Sequence, residues 1–162
     1  MTRTAPTRTE PTPLIDTFRR EHGFVFIGSY ELASDDSVFV ETPVKITERR
    51  PLVYVIFADD ICRYVGKSVQ GYIRPLTYHK NGVMTDVRDG ILSDLKAGRK
   101  VTVYAKTTGL DASHEGLDLN LIEAIEQSLI REYRPTWNNQ VQSFALQPAQ
   151  SARLKGASGG NA

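Results

Sequence analysis

The sequence predicts an α+β domain in which a small mixed or antiparallel sheet is flanked by helices and preceded by a β extension. Two segments carry this prediction. Residues 52–58 form a nearly continuous apolar run rich in β-branched and aromatic residues, which is typical of a strand buried on both faces. Residues 118–134 have apolar side chains at helical spacing and precede Pro135, which predicts a long helix.

Length and composition indicate one folded domain between two tails. The chain has 162 residues, of which 40% are hydrophobic, and this is enough to bury an ordinary core. Residues 1–13 are rich in Thr and Pro, and residues 145–162 end in a Gly, Ser and Ala tract, so both are predicted to be disordered. Between them we expect the β extension over residues 14–50 and the domain core over residues 51–144.

Charge and cysteine content exclude some classes of protein. The formal net charge of +1 is small for a non-specific nucleic-acid binder, so any DNA contact must come from local basic clusters. The single cysteine, Cys62, excludes an internal disulfide and leaves no ligand spacing for structural zinc. No segment resembles a signal peptide or approaches membrane-spanning length, so we expect no membrane partner and a cytoplasmic protein.

Two hairpins are predicted in the first half of the chain, because β-prone runs there alternate with turn residues. The predicted arms are Phe24–Ile27 and Val38–Val40 for the first hairpin, then Leu52–Ala58 and Cys62–Val65 for the second. In the second hairpin Asp59-Asp60 supplies the turn and Gly66 ends the second arm. Its first arm is expected at the centre of the sheet.

Helices and one more strand are predicted downstream. Pro75 fits the first turn of a short helix, and Gly98 fits the end of a longer one. The predicted elements are, in order, a short helix over 75–80, a helix over 86–97, a strand over 101–105, a polar loop, and the helix over 118–134.

One acidic residue interrupts the apolar stripe of the last predicted helix. On a helical wheel Glu126 lies between Ile122 and Ile130, whereas Glu123 and Glu132 lie near the edges of the stripe. An ionised carboxylate is costly to bury unless a cation, a metal ion or water compensates its charge. From the helix alone, a structural salt bridge, or a Glu whose head reaches solvent, is slightly favoured over a functional site.

Two tyrosine-containing triplets in the second hairpin reverse that preference. Leu52-Val53-Tyr54 and Tyr64-Val65-Gly66 lie on adjoining arms, so their tyrosine hydroxyls can converge. With Lys67 directly after them, the triplets resemble the two-part signature of the GIY-YIG nucleases. Leu52 stands where the family name has Gly, and Val replaces the central Ile in both triplets; these positions serve packing.

Further residues of the same pattern follow in the expected order. Arg74 stands seven residues after Lys67, like the phosphate-binding arginine of the family. Glu126, with Leu-Ile, Pro135 and Asn138 after it, resembles the family's metal-binding glutamate and terminal Asn. Each piece alone is weak, but their order and spacing together indicate a GIY-YIG nuclease-like fold over residues 52–138.

The resemblance implies a DNA endonuclease that hydrolyses phosphodiester bonds with one Mg²⁺ or Mn²⁺ ion. Glu126 would hold the metal ion, and Tyr54 would be the candidate general base, with Lys67 as its nearest cation. Tyr64 would position the water or the phosphate. Arg74 would place a forked positive charge on the phosphate oxygens.

Supporting roles are implied for Gly66, Asn138 and one of two neighbouring residues. Some family members have a His four residues after the arginine; this chain has Tyr78 there and His79 beside it, and the sequence does not choose between them. Asn138 would fix the loop beneath the site or a metal-bound water. Pro75 could shift the helix that carries the arginine.

A looser similarity extends to the residues ahead of the hairpin. Phe24–Ile27 and Tyr30-Glu31-Leu32 look like the small phage endonuclease II group of the family. This implies a self-contained enzyme of a bacterial cell or a phage-infected host, with DNA as partner. Arg88 and Lys100 are expected, as basic residues, to bind DNA together with Lys67 and Arg74. One site per chain cuts one strand at a time, so a homodimer or tetramer is compatible with the activity.

Three alternatives stay open. A sequence-specific restriction endonuclease of the same fold needs base-edge contacts that the sequence does not locate. A structural protein leaves an inward-facing Glu126 unexplained. A catalytically inactive member would only bind DNA, through Lys67, Arg74, Arg88, Lys96, Arg99 and Lys100. Three basic residues ahead of the core, Lys45, Arg49 and Arg50, are interpreted as solvated charge, with DNA contact a close second.

Overall fold

The computed structural model describes residues 12–80 and 85–138. Its elements are, in chain order, α1 (Leu14–Arg20), β1 (Val25–Leu32), β2 (Val38–Glu41), β3 (Leu52–Ala58), β4 (Ile61–Ser68), α2 (Ile73–Leu76), α3 (Thr85–Lys96), β5 (Val101–Lys106), β6 (Asp111–His114), β7 (Leu117–Asn120) and α4 (Ile122–Tyr133). The predicted α+β class is confirmed. The predictions of a disordered C-terminal tail and a core that ends at residue 144 lie outside the described residues, as does most of the N-terminal tail.

Five strands form one antiparallel sheet in the order β2-β1-β5-β3-β4, and β6 and β7 pair separately. The expectation that Leu52–Ala58 is the central strand was wrong, because β5 lies in the middle and β3 lies between β5 and the edge strand β4. All seven residues of β3 are nevertheless buried. Helices cover both faces of the sheet, so the continuous apolar run of β3 indicates that the strand is buried and does not indicate its position in the sheet.

The two faces of β3 belong to two separate clusters of core residues. Tyr54 and Ile56 pack on the face that carries Val87 and Ile91 of α3. Val53, Val55 and Phe57 pack on the opposite face, with Ile122, Leu129 and Ile130 of α4. The sheet therefore has α3 on one side and α4 on the other.

The segment over residues 14–50 differs from the predicted β extension in two respects. Its first element is a helix, α1, which the sequence analysis did not predict. The backbone N–H groups of Leu14 and Ile15 each donate to the Asp60 carboxylate at 2.8 Å, so the β3–β4 turn caps this helix from 45 residues or more away. The predicted hairpin is confirmed as β1 and β2, and β1 pairs with β5, so both strands belong to the main sheet.

The second half of the chain contains an unpredicted hairpin and two shifted helices. Residues predicted as a polar loop form β6 and the first residue of β7, and the side chains of both strands are all exposed. The last helix begins at Ile122 and not at residue 118, because Asp118–Asn120 belong to β7, and Leu119 is 40% exposed there. The short helix predicted over 75–80 lies at Ile73–Leu76. Among the described residues no helix is both long and apolar enough to span a membrane.

Candidate active site

Three buried tyrosines meet at one end of the sheet. The ring centroids of Tyr54 on β3 and Tyr64 on β4 are 6.0 Å apart, and the Tyr78 ring lies 6.4 Å from the first and 6.2 Å from the second. The hydroxyls of Tyr54 and Tyr78 are hydrogen-bonded at 2.5 Å. The two tyrosines of the sequence triplets are therefore brought together, and a third hydroxyl joins them.

A β-bulge gives Tyr64 its direction. Ile56 pairs with Tyr64, but the next residue, Phe57, pairs with Cys62, so β4 has one extra residue at this point. Side chains two residues apart normally share a face of a strand. The extra residue turns Tyr64 to the face of Tyr54 although Cys62 points to the other face. Spacing counted along the sequence does not reveal this change of register.

Gly66 is required by the ring that packs on it. It lies inside β4, opposite Tyr54, and is not a turn residue. A Cβ atom at this position would lie 2.6 Å from Cζ and Oη of Tyr54 and 2.8 Å from Cε1 of Tyr64. Only hydrogen fits between the backbone and the two rings.

Tyr78, and not His79, enters the site. Tyr78 is fully buried among the tyrosines, and its backbone N–H donates to the Tyr30 hydroxyl at 3.1 Å. The His79 ring packs against Tyr30 instead, with centroids 5.8 Å apart, and lines a separate cavity with Arg88. The segment after α2 thus turns one aromatic residue inward and the next one away.

Arg74 is the cation of the tyrosine cluster. It lies in α2, mostly exposed. Partial burial acts to lower its pKa, but the nearby hydroxyls of Tyr54 and Tyr78 outweigh that effect and raise the pKa. Pro75 does not displace the arginine, because the proline lies in the first turn of the helix and its carbonyl accepts a 2.7 Å hydrogen bond from Tyr30.

A second charged group lies on the other face of the sheet. Lys67 pairs with Val53, so the alternation of the strand turns it away from Tyr54 and toward α4. Its Nζ lies 3.7 Å from Oε1 of Glu126 and 3.4 Å from Oε2 of Glu123. Glu126 is 9% exposed, as its inward position predicted, whereas the Glu123 side chain is 75% exposed. The sequence analysis did not select Glu123; its place three residues before Glu126 was the available signal.

The charged group and the tyrosine cluster meet around β4. Because β4 is the edge strand, a single strand separates Lys67 and Glu126 from the tyrosines. Their proximity is electrostatically significant: burial, Tyr78 and the Glu126 charge all raise the pKa of Tyr64, while Arg74 lowers it, and the net shift is upward. Tyr54, Tyr64 and Arg74 thus lie on one side of the hairpin edge, and Lys67 and Glu126 lie on the other.

Burial controls the protonation of the two central groups. The pKa of Tyr54 is raised well above its usual 10.0, chiefly by burial and then by Tyr78 and Tyr64, against the lowering effect of Arg74. Arg74, and not Lys67, is therefore the cation that acts on Tyr54. Burial also raises the pKa of Glu126 above 4.5, although Lys67 partly opposes this.

Asn138 holds the edge strand from outside. Its carboxamide oxygen accepts the Val65 N–H at 2.8 Å, and its Nδ2 donates to the Val65 carbonyl at 2.8 Å. Val65 lies between Tyr64 and Gly66, so this pair of bonds fixes the backbone under the site. Of the two expected roles for Asn138, the geometry fits the first, fixing the chain beneath the site.

Two predicted DNA-binding residues lie elsewhere. Arg88 borders the cavity of His79 and forms an ion pair with Asp89 at 3.6 Å. The backbone N–H of Lys100 donates to Asp59, at the opposite end of β3 from Tyr54. Neither residue joins the tyrosine cluster or the Lys67 group.

The acidic side of the site fits a hard cation with few protein ligands. The described part of the chain contains no cluster of three or more His, Cys, Asp or Glu residues that could hold a metal ion by themselves. Mg²⁺ commonly takes only one or two carboxylates and completes its coordination with water and substrate phosphate. Glu126 and Glu123 supply such a pair, and a buried carboxylate with a raised pKa gains from a nearby cation.

Comparison with known proteins identifies the fold. No protein-family model and no curated protein sequence matches this chain. A structure of a bacteriophage T4 EndoII mutant matches with a TM-score of 0.59 and 21% identity, over 78% of this chain and 98% of that chain. The restriction endonuclease HPY188I, in complex with product DNA, gives a TM-score of 0.41 and 14% identity, over 77% of this chain and 83% of that chain, and does not bear on the assignment. The chain therefore has the fold of bacteriophage T4 EndoII, which confirms the predicted α+β fold with a sheet flanked by helices.

Proposed function

We propose that this chain is a DNA endonuclease that hydrolyses phosphodiester bonds with the help of Mg²⁺ or Mn²⁺. One observation carries the proposal. A buried carboxylate, Glu126, lies across a single edge strand from a cluster of tyrosine hydroxyls and a guanidinium. The fold shared with EndoII supports the same activity.

Each side of the site meets one need of the reaction. Phosphodiester hydrolysis requires stabilisation of charge on the non-bridging oxygens, an aligned water, and help for the departing 3′ oxygen. Arg74 is exposed enough to reach a phosphate and would bind its non-bridging oxygens with its fixed fork of donors. The Tyr64 hydroxyl would hold the same phosphate or the attacking water.

Tyr54 is proposed to act as a phenol in the resting enzyme. Its raised pKa argues against a phenolate that stands ready as general base at neutral pH. Its hydrogen bond with Tyr78 fixes the direction of the hydroxyl, which suits it to orient the attacking water. This changes the role that the family resemblance implied for Tyr54, and it leaves the residue in the site.

Glu126 would hold the metal ion, with Glu123 beside it. When bound, the ion would stabilise negative charge on the scissile phosphate and on the departing oxygen. Lys67 now lies between the two carboxylates, and it would have to share them or turn toward the phosphate. Its side chain is 41% exposed, so it has room to turn.

The test is a plasmid assay with matched binding measurements. We expect wild-type protein to nick supercoiled DNA with Mg²⁺ or Mn²⁺ and to be inactive in EDTA. Glu126→Ala should lower the cleavage rate by at least about 10²-fold and leave DNA affinity nearly unchanged. Arg74→Ala should weaken both. Normal cleavage by the Glu126→Ala variant, or cleavage by the wild type in EDTA, would contradict the proposal.

A further inference from the structure

A groove with a volume of about 340 Å³ opens at the end of the sheet that carries the site. We call it the flanking groove; residues 49–51, 107–111, 120 and 122 line it. It runs between the loop before β3, the loop after β5 and the start of α4. No residue of the tyrosine cluster contributes to it.

The flanking groove adjoins both sides of the site. The backbone of residues 48–50 packs directly on Gly71, three residues before Arg74. At the other end, the groove residue Ile122 is the direct neighbour of Glu123. A polymer bound between Arg74 and Glu126 therefore has this groove as a continuation of its path.

The polar groups of the groove suit an anionic polymer. Arg49 and Arg50 lie on one wall, and the hydroxyl-bearing residues Thr107 and Thr108 lie on the other. Arg50 forms an ion pair with Glu48 at 2.5 Å, but Arg49 has no carboxylate within 4 Å among residues 12–80 and 85–138. Asp111 is the single acidic residue of the lining, so the basic residues outnumber it.

We propose that the flanking groove binds phosphates of the DNA strand next to the scissile phosphate, with Arg49 as the main contact. This proposal rests on the proposed endonuclease activity. Arg50 is four residues from Tyr54, a span of at most roughly 14 Å. One strand of duplex DNA advances about 3.4 Å per nucleotide, so the groove contacts phosphates within about four nucleotides of the cut. Arg49 and Arg50, which the sequence led us to interpret as solvated charge, are thereby proposed to contact the DNA.

The salt dependence of DNA binding tests the proposal. Each phosphate contact contributes about 0.9 to the slope of log K against log salt concentration. In EDTA, where no cleavage occurs, Arg49→Ala should reduce that slope by about one and weaken binding several-fold. Arg49→Lys should retain most of the slope, because it keeps the charge. Arg131→Ala removes another exposed arginine, in the last turn of α4 and outside the groove, and should change neither quantity.

A second measurement separates failure of this proposal from failure of the proposed function. With plasmid DNA, Arg49→Ala should raise KM and leave kcat close to that of the wild type, because the groove binds DNA outside the reacting phosphate. An unchanged salt slope in Arg49→Ala, in a wild type that nicks plasmid, would overturn the groove alone. A wild type that neither binds nor nicks DNA would overturn both.

Discussion

The protonation of individual side chains in this site depends on their neighbours more than on their residue type. Tyr54 and Glu126 are both held in surroundings that disfavour their charged forms. For Tyr54 this leaves a neutral hydroxyl held by its hydrogen bond with Tyr78, and for Glu126 it leaves a charge that a nearby cation would stabilise. The sequence located both residues, but it could not provide their protonation, since that depends on burial in the fold, on Tyr78 and Arg74 around Tyr54, and on Lys67 beside Glu126.

The Tyr54 hydroxyl should matter more than its hydrogen-bond partner. Tyr54→Phe should lower the nicking rate by about 10²-fold or more, because it removes the hydroxyl proposed to orient the attacking water. Tyr78→Phe breaks the same hydrogen bond but keeps the Tyr54 hydroxyl, so it serves as the matched comparison and should lose less activity. Single-turnover nicking rates at equal folded fraction would decide. Equal losses in the two variants would exclude a distinct role for Tyr54.

Glu126 should destabilise the fold at neutral pH. A carboxyl whose folded-state pKa is raised binds its proton more readily in the folded protein, so its ionisation costs stability above that pKa and nothing below the unfolded value of 4.5. Glu126→Gln should therefore raise Tm at pH 7, and the gain should shrink as the pH falls toward 4.5. Glu132→Gln, at an exposed carboxylate of the same helix that does not contact Lys67, is the control and should leave Tm nearly unchanged. A Glu126→Gln variant that is less stable than wild type at pH 7 would refute this interpretation.

At the scale of elements, the hairpin of β3 and β4 positions most of the site. Its edge strand, β4, turns Tyr64 to one face and Lys67 to the other. One substrate could not contact both faces of a central strand, because such a strand has neighbours on both sides. The sequence predicted the first arm from its apolar run and the second from the Asp59-Asp60 turn that precedes it. It did not predict the bulge that aims Tyr64, because a bulge is defined by pairing between strands and leaves no composition signal.

Gly66→Ala should disturb both rings of the hairpin at once. The added methyl group would overlap Tyr54 and Tyr64, so we expect the free energy of unfolding to fall by about 1–3 kcal/mol. Nicking activity should fall by more than the loss of folded protein alone would cause. Gly90→Ala is a useful comparison, because the nearest atoms to its Cβ would be those of the Trp137 ring, at 2.5 Å, and not those of Tyr54 or Tyr64. Chemical denaturation and activity at matched folded fraction would be measured. Full activity in Gly66→Ala would mean that the tyrosine geometry tolerates displacement.

The element predictions are accurate where an element is formed by interactions local in sequence. They fail where the element depends on residues far away in the chain. Strands and helices defined by their own apolar pattern, such as β3 and α3, were predicted closely. α1 was missed because its cap comes from Asp60 in a distant turn, and the start of α4 was misplaced because β7 uses residues that also fit a helix. The position of β5 between β1 and β3 depends on pairing across the whole chain.

At the scale of the molecule, the net charge of the chain says less about a nucleic-acid surface than the distribution of its charged residues does. The net charge of +1 did not predict a nucleic-acid surface. The basic residues at one end of the sheet, Arg49, Lys67 and Arg74, adjoin the proposed reaction site, whereas Arg88 and Lys100 lie elsewhere. Only the fold brings residues from positions 49, 67 and 74 to the same end.

A single site per chain should cut one DNA strand at a time. At low protein concentration, supercoiled plasmid should therefore pass through a nicked circle before any linear DNA appears. If protomers act in pairs, the linear fraction should rise with protein concentration at a constant ratio of enzyme to DNA. Gel analysis of a time course would follow both products. Linear DNA that forms without a nicked intermediate at the lowest concentration would contradict independent action.

The hydrogen bonds of Asn138 have a consequence for the outer flank of the sheet. Together with the Trp137 N–H, which donates to the Arg63 carbonyl at 2.9 Å, they occupy backbone groups that an open strand would otherwise offer to another polypeptide. Trp137 and Asn138 thus bond to the open side of β4 as a sixth strand would. The stretch of β4 from Arg63 to Val65 is therefore blocked to β-augmentation, so any assembly of copies through pairing there would first have to displace the Asn138 side chain.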